Sequence, residues 1–446
     1  MNLNSYIIPG SANTTNKCVS WFKFKNKSVV AFASANLVHI FDYNQGNVIC
    51  SLNAHKSKIN AIIIDSRIDK GCGLPYIKLY SADDTGNLII WYCEDLMLLS
   101  WKILHNIKTS ASIISMDIMT TPNNGTVLSV MALDGSSTTW NLKNDSNLPT
   151  IIDQFKYPLA QIIRVHCMFP LFLDEDQHLF HFLLAMGSVD SKIYFRLGRY
   201  DNSKDFFTWV DVGFVLGHED WITTLACRKL NDTVILLSGS QDWKLRVWKI
   251  KKMVNYNLIE GRENALNDLN VEEEDENDEI LIDSEDLINN SSDARLCFSI
   301  PESSDLLPPV TYGIFLDGIC IGHEDWVTSG KWIVSSNNSD SDDEKSLRFI
   351  SISMDNNIII WTQDVSNGIW LPSIRMGDIG GTLGGPVGGN LLGFISCCLS
   401  PCHRAILSVG YGGSFHLWSH EHFNHSEIIE VICLFVYLFI FNIIKL

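Results

Sequence analysis

The stretch GHEDWITTLACRKLNDTVILLSGSQDWKLRVWKI, Gly217–Ile250, decides the fold. It holds an apolar run, TVILLSGS, and an alternating run, KLRVWKI, on either side of a turn at Gln241 and Asp242. A period of two, bounded by Gly, Asp and Ser, is typical of β-strands and not of helices. Its opening, GHEDWITT, returns 105 positions later as GHEDWVTS, which indicates a structural unit used more than once.

Searching outward from this stretch finds seven copies of one pattern. A turn residue, Asp134, Asp242 or Asp355 in the clearest copies, is followed six positions later by an aromatic residue. The copies end at Phe41, Trp91, Trp140, Arg196, Trp248, Trp361 and Trp418, in steps of 50, 49, 56, 52, 113 and 57 residues. Arg196 marks the weakest copy, since it stands where the aromatic residue should be.

Units of about fifty residues with several short strands predict an all-β, seven-bladed β-propeller. A Gly-His pair ahead of a unit and a Trp at the end of its third strand are the marks of WD repeats. We expect an N-terminal segment at 1–16, blades one to five at 17–254, an insertion at 255–308, blades six and seven at 309–420, and a tail at 421–446. Because closed rings avoid open sheet edges, we expect Ser5–Ile8 to supply a closing strand.

The charge of the chain is concentrated in one segment. The formal net charge is −18, and residues 259–305 hold 16 acidic and 2 basic residues, so the rest carries only −4. Such a one-sided segment, around VEEEDENDE, predicts a solvated, disordered acidic loop, with docking of a basic partner as the alternative. No Lys/Arg cluster indicates a phosphate-binding face.

The N-terminus lacks the pattern of a secretory signal, and the 12 Cys include no CxxC pair. Both features fit a reducing compartment. Cys397, Cys398 and Cys402 lack a second pair at zinc-ligand spacing, so we expect buried strand cysteines. The glycines of 380–390 lack a following Lys-Ser/Thr, and we interpret them as a loop and not as a phosphate cradle.

The duplicated His-Glu-Asp run has two interpretations. Adjacent residues on a strand or turn point in different directions, so three in a row rarely converge on one metal ion or reaction centre. We therefore predict no catalytic residue, no cofactor and no metal, and assign a framework role to His218, Asp242, Trp248, His323, Asp355, Trp361, Asp134, Trp140, Trp91 and Trp418. Candidates for contact with a partner are Glu219, Asp220, Trp221, Glu324, Asp325 and Trp326. The two tryptophans either pack in the core or anchor a partner.

The order of motifs resembles the Elongator complex protein 2 family, the WD-repeat subunits of Elongator. The resemblance rests on the two GHEDW blades, on SISMDNNIIIW before Trp361, and on NGIWLPSIRMGDIGG and LLGFISCCLSPC after it. It is most specific over residues 217–418. The family has two propellers, a shorter Gly-rich stretch, and no counterpart of IIEVICLFVYLFIFNIIKL.

The resemblance implies a non-catalytic scaffold in the machinery that modifies the wobble uridine of tRNA. Its implied partners are the largest Elongator subunit and the catalytic iron–sulfur, acetyltransferase-like subunit, with tRNA contact indirect or weak. The implied location is the cytoplasm, with the nucleus as a second compartment. A different WD-repeat platform, one that reads peptides or ubiquitin at its top face with exposed charged or aromatic residues around the central channel, is the alternative function.

The last residues fit neither a turn nor a solvated tail. Residues 431–441 form an uninterrupted apolar run of 11 residues. A membrane-spanning helix needs about 20. We expect a truncated chain whose coding sequence diverges near Glu430, with a membrane anchor or an ordinary buried strand as the alternatives.

Overall fold

The computed structural model consists of seven antiparallel β-sheets arranged in sequence along the chain. It describes residues 11–68, 75–121, 125–142, 149–173, 179–201, 204, 206–230, 233–253, 294–300, 310–334, 347–377, 393–419 and 430–434. Six sheets have four strands and the fifth blade has five. The prediction of an all-β, seven-bladed propeller is confirmed.

Each blade is a meander in which consecutive strands pair, apart from the fifth. The first three blades contain β1 Val19–Phe24, β2 Lys27–Ser34, β3 Leu37–Asp42, β4 Asn47–Asn53, β5 Ile59–Ile68, β6 Pro75–Asp83, β7 Asn87–Cys93, β8 Lys102–Lys108, β9 Ile113–Thr120, β10 Thr126–Ala132, β11 Ser136–Leu142 and β12 Thr150–Lys156. The fourth and fifth contain β13 Ile163–Leu173, β14 Leu179–Ser188, β15 Ile193–Asp201, β16 Phe206–Val215, β17 Ile222–Lys229, β18 Thr233–Ser240, β19 Lys244–Lys252, β20 Leu296–Ile300 and β21 Val310–Ile321. The last two contain β22 Val327–Ile333, β23 Arg348–Ser353, β24 Asn357–Gln363, β25 Trp370–Gly377, β26 Phe394–Leu399, β27 Ala405–Gly410, β28 Phe415–Ser419 and β29 Glu430–Leu434.

The seven pattern endpoints all lie on the third strand of a blade, from Phe41 on β3 to Trp418 on β28. In six blades the pairing of this strand with the fourth shifts register just before the endpoint, as between Val247 and Trp248. Such a bulge bends the strand and redirects the following side chain. Trp248 and Trp361 are among the largest fully buried side chains, so the repeated aromatic residue fills the space between blades.

The first strands of neighbouring blades contact one another around a complete circle, in which β26 of the seventh blade meets β1 of the first. Hydrophobic clusters lie between adjacent sheets. One cluster joins β1–β3 to the seventh blade through residues such as Phe32 and Phe415, whose ring centroids are 5.0 Å apart. The ring is therefore closed by apolar packing at the seam between the first and last blades.

A short N-terminal segment, residues 11–17, bonds to all seven blades. Asn13 bonds to Ala33, Ala35 and Ile59 of the first two blades, and Lys17 contacts Ala61, Met116 and His166 of the second to fourth. Asn16 bonds to Thr223 and Thr328 of the fifth and sixth blades and to Ser396 of the seventh. Ala12 bonds to Gly413 of the seventh blade. Only a segment at the axis of the ring reaches every blade. We name residues 11–17 the axial plug.

Two expected boundaries differ from the structure. The insertion expected at 255–308 contains the strand β20, which pairs with β21 as the fifth strand of its blade, so residues 296–300 do not belong to the expected disordered loop. The outer strand of the seventh blade is β29, within the expected tail. Ser5–Ile8 lie outside the described residues, as do the VEEEDENDE run, the stretch 380–390 and most of the tail. Nowhere in the described ranges is there a helix long and apolar enough to cross a membrane.

Candidate functional site

The first His-Glu-Asp-Trp run begins a buried hydrogen-bond chain in the fifth blade. His218 precedes β17, Ser238 lies on β18, Asp242 forms the turn before β19, and Trp248 lies on β19. The His218 Nδ1–Asp242 Oδ2 distance is 2.8 Å, and both His218 Nε2 and Trp248 Nε1 lie 2.9 Å from Ser238 Oγ. The consistent assignment is a neutral imidazole whose Nδ1–H donates to Asp242, while Ser238 donates to Nε2 and accepts from Trp248.

The second run makes the same chain in the sixth blade. His323 Nδ1 lies 2.9 Å from Asp355 Oδ2, and Ser351 Oγ is 2.8 Å from both His323 Nε2 and Trp361 Nε1. The duplicated sequence therefore builds the same network twice. A side chain at the Gly before each histidine would crowd the tryptophan. A Cβ on Gly217 would lie 3.1 Å from the Trp248 ring, and one on Gly322 would lie 3.0 Å from the Trp361 ring.

A third complete chain lies in the second blade, where the sequence analysis found only its tryptophan. His55 Nδ1 is 2.9 Å from Asp83 Oδ2, and Ser81 Oγ is 2.7 Å from His55 Nε2 and 2.8 Å from Trp91 Nε1. The serines were missed, although each stands ten residues before its tryptophan. The same spacing joins Ser408 to Trp418 in the seventh blade, at 3.0 Å.

The other blades hold their third strand differently. In the third blade the position ten residues before Trp140 is Val130, which has no hydroxyl to bond the indole. Asp134 caps its own turn there by accepting a hydrogen bond of 3.0 Å from the backbone N–H of Ser136. In the fourth blade Arg196 replaces the tryptophan. Its guanidinium lies 2.7 Å from both Asp153 and Asp211. The weakest copy of the pattern is therefore held by one ion pair to β12 of the third blade and one to β16 of its own blade.

Burial and hydrogen bonding set the charge of these networks. Burial favours the neutral form of Asp242, but the bonds from His218 and the backbone outweigh it and lower its pKa to about 2. Burial lowers the pKa of His218 more than the nearby carboxylate raises it. The His218 and Asp242 side chains are only 1% and 4% exposed, so the pair is enclosed within the blade.

The Glu, Asp and Trp residues of each run form a surface loop that is held by backbone hydrogen bonds. In the fifth blade the backbone N–H of Trp221 donates to Asp220 Oδ1 at 2.7 Å, and the Trp221 carbonyl accepts from the backbone N–H of Gln241 at 3.0 Å. The backbone N–H of Glu219 donates to the Asp242 carboxylate at 3.0 Å. The sixth blade repeats these bonds at Glu324 and Trp326.

The indole rings of both runs lie on the surface, with Trp221 42% and Trp326 47% exposed. The interpretation that these tryptophans pack in the core is therefore wrong. Glu219, Asp220 and Glu324 are exposed, and Asp325 is half-buried. A third exposed tryptophan, Trp243 at 51%, lies in the adjoining turn between β18 and β19 and was not singled out from the sequence.

The cysteines of the seventh blade take different positions. Cys397 and Cys398 are buried on β26, where burial raises the pKa of each thiol, and Cys402 is exposed. Among the residues that the structure describes, no three His, Cys, Asp or Glu side chains are grouped so as to hold a metal ion.

Comparison with known proteins gives one consistent result. The chain is 26% identical to Elongator complex protein 2 of Dictyostelium discoideum over 94% of its length, 24% identical to that of Homo sapiens over 90%, and 24% identical to that of Saccharomyces cerevisiae over 89%. It spans 46%, 42% and 44% of these relatives, respectively. No family model matches the chain. The chain is similar to Elongator complex protein 2 of these organisms along nearly its whole length.

Proposed function

We propose that the protein is a non-catalytic scaffold subunit of Elongator. The observation that carries the proposal is the similarity to Elongator complex protein 2 over about nine-tenths of the chain. The polar clusters agree with a scaffold, since the His-Asp pairs of the second, fifth and sixth blades are enclosed by hydrogen bonds within their own blades. Their groups hold strands together and face no open cleft.

In this role the propeller supports assembly of the machinery that modifies the wobble uridine of tRNA. Its partners are the largest subunit and the catalytic iron–sulfur, acetyltransferase-like subunit, and its contact with tRNA is indirect or weak. The location that follows is the cytoplasm, with the nucleus as a second compartment. The alternative, a platform that reads peptides or ubiquitin at its top face outside Elongator, is less well supported, because the proteins that match about nine-tenths of the chain are Elongator complex protein 2.

The test is affinity purification of the tagged chain from its own organism. We expect both partner subunits to be recovered, and we expect loss of the gene to lower the content of wobble-modified uridine, measured by mass spectrometry of total tRNA. Re-expression of the chain should restore that content. Recovery of unrelated complexes with normal tRNA modification would overturn the proposal.

A further inference from the structure

Three exposed tryptophans belong to adjoining loops on one face of the fifth and sixth blades. Trp221 and Trp326 lie in the two His-Glu-Asp-Trp loops, and Trp243 lies in the turn that bonds to the first of these loops. We name Trp221, Trp243 and Trp326 the tryptophan rim.

Hydrogen bonds hold the two loops side by side. The Thr223 hydroxyl donates to the Val327 carbonyl, and the Asn16 side chain donates to the carbonyls of Thr223 and Thr328 at 2.9 Å each. Thr223 and Val327 lie two and one residues beyond Trp221 and Trp326. The rim is therefore carried by rigid backbone on two neighbouring blades.

The rim indoles contribute little to the fold. The space between the blades is filled by Trp248 and Trp361, which are each 1% exposed. Neither the Trp221 nor the Trp326 indole N–H has a hydrogen-bond partner among the residues described. Trp243 also has a left-handed backbone, with φ of 69°, where the sixth blade has Asn356 at 63°. A bulky aromatic residue is unfavourable at such a φ and Asn is not, so Trp243→Asn should relieve backbone strain.

Carboxylates surround the rim. Glu219, Asp220, Glu324 and Asp325 directly precede Trp221 and Trp326, and the enclosed side chains of Asp242 and Asp355 lie in the adjoining turns. The cations near these six carboxylates are Lys244, 3.2 Å from Glu219, Arg246 beside Asp242 and Glu219, Arg375, which donates to the Gly322 carbonyl, and Arg164. The Arg164 guanidinium lies 5.6 Å from the centre of the Trp221 ring, so a cation stacks on a rim indole within the chain itself.

We propose that the tryptophan rim docks a Lys- or Arg-bearing segment of a protein partner. Exposed tryptophans are the residues that most often anchor protein interfaces, and the excess of carboxylates selects a basic segment over an acidic one. The same excess opposes RNA, whose phosphates would face Glu219 and Glu324. The proposal rests on the proposed function only for the identity of the partner, an Elongator subunit.

The direct test uses a library of random nine-residue peptides and the purified full chain. We expect bound peptides to be enriched in Lys and Arg, and binding of the best one, measured by fluorescence anisotropy, to weaken as salt rises. Trp326→Ala and Trp243→Asn should each weaken it about thirtyfold, as loss of an interface anchor does. Glu324→Lys should weaken it and reduce its salt dependence.

The controls separate binding from folding. Trp243→Asn installs the residue of the sixth blade, so its melting temperature should equal or exceed that of the parent. Phe206→Ala removes an aromatic residue that is more exposed than the rim tryptophans, 61% on β16 of the fourth blade, and should leave binding unchanged. Equal binding of acidic peptides, no bound peptide, unchanged affinity of the rim variants, or a tRNA transcript that requires Trp326 would each overturn the proposal.

The same variants distinguish this proposal from the proposed function. If the parent chain recovers Elongator subunits and the rim variants recover them equally, the rim proposal fails and the scaffold proposal stands. If the parent recovers none while basic peptides still require the rim, the scaffold proposal fails and the basic-segment site stands.

Discussion

At the scale of single residues, the serine ten positions before a tryptophan links the second strand of its blade to the third. In the fifth blade it also links both strands to the histidine in the loop before the first strand. Ser238 accepts from the Trp248 N–H and lies within bonding distance of His218. A hydroxyl both donates and accepts, so one small side chain satisfies two buried ring nitrogens. The sequence analysis found the two rings by their repetition, but a serine is too common for its spacing to be noticed without the structure.

Replacement of this serine should therefore destabilise the protein. Ser238→Ala leaves two buried ring nitrogens without a partner, and we expect a cost of about 2–4 kcal/mol, since each orphaned group costs about 1–3 kcal/mol. Ser408→Ala in the seventh blade orphans only the Trp418 N–H and should cost about half as much. Urea unfolding of both variants gives the comparison, and equal costs would contradict the role of the histidine.

The buried histidines and aspartates also predict the response to acid. Burial lowers the pKa of His55 and His218 below the ordinary 6.5, so the unfolded chain binds more protons below that pH and stability falls as the pH falls. Asp83 and Asp242 have pKa values of about 2 against an ordinary 3.8, so their contribution is complete above about pH 4 and is lost as the pH falls towards 2.

We therefore expect the melting temperature to decrease in two stages, first below pH 6.5 and again below about pH 4. Calorimetry from pH 7.5 to 3 measures both stages. A melting temperature that is constant between pH 7 and pH 4.5 would contradict the assignment of neutral, buried histidines.

At the scale of elements, β20 of the fifth blade shows that a charge count over a long segment can hide a short strand within it. Leu296, Phe298 and Ile300 alternate with exposed residues and pack against the cluster between the fourth and fifth blades. The charge count over residues 259–305 combined this short strand with the acidic run before it. A window of five residues would have shown the alternation, but the strand also needs β21 as a partner, which no local pattern reveals.

Two deletions separate the strand from the acidic run. Deletion of 255–293 removes only residues outside the described structure, and we expect an unchanged melting temperature because such a charged segment has little apolar surface to bury. Extending the deletion to residue 300 removes β20, including Ile300, which is 6% exposed. The extended deletion should cost at least the 2–5 kcal/mol typical of a lost buried Ile. Equal melting temperatures would mean that β20 does not stabilise the blade.

At the scale of the whole molecule, the number and order of the blades follow from the sequence, whereas the centre of the ring does not. Repetition at about fifty residues is visible in one chain, and each endpoint marks a third strand. Residues 11–17 have no repeat, no alternation and no unusual composition. Their role arises from bonds to residues hundreds of positions away, and the exposure of Trp221 and Trp326 likewise depends on how the loops are fastened.

The axial plug makes its own prediction. The Asn16 side chain donates to carbonyls of two blades, so Asn16→Ala should cost about 1–3 kcal/mol and lower the melting temperature. The matched control is Thr14→Ala, since Thr14 is exposed and its hydroxyl accepts a long, exposed hydrogen bond of 3.4 Å from the Lys58 ammonium. A plug variant as stable as the control would show that the ring does not depend on this segment.

The plug also has a consequence for the order of events during synthesis. Asn16 leaves the ribosome early, but its partners Thr223, Thr328 and Ser396 follow 207, 312 and 380 residues later. At about 5–20 residues per second, Ser396 is added roughly twenty to eighty seconds after Asn16. Through that interval Asn16 lacks at least one of its hydrogen-bond partners. Closure of the ring must then bring together two distant parts of the nascent chain. A ribosome stalled before residue 396 should therefore hold a precursor of no more than six complete blades, whose N-terminal residues remain open to proteases.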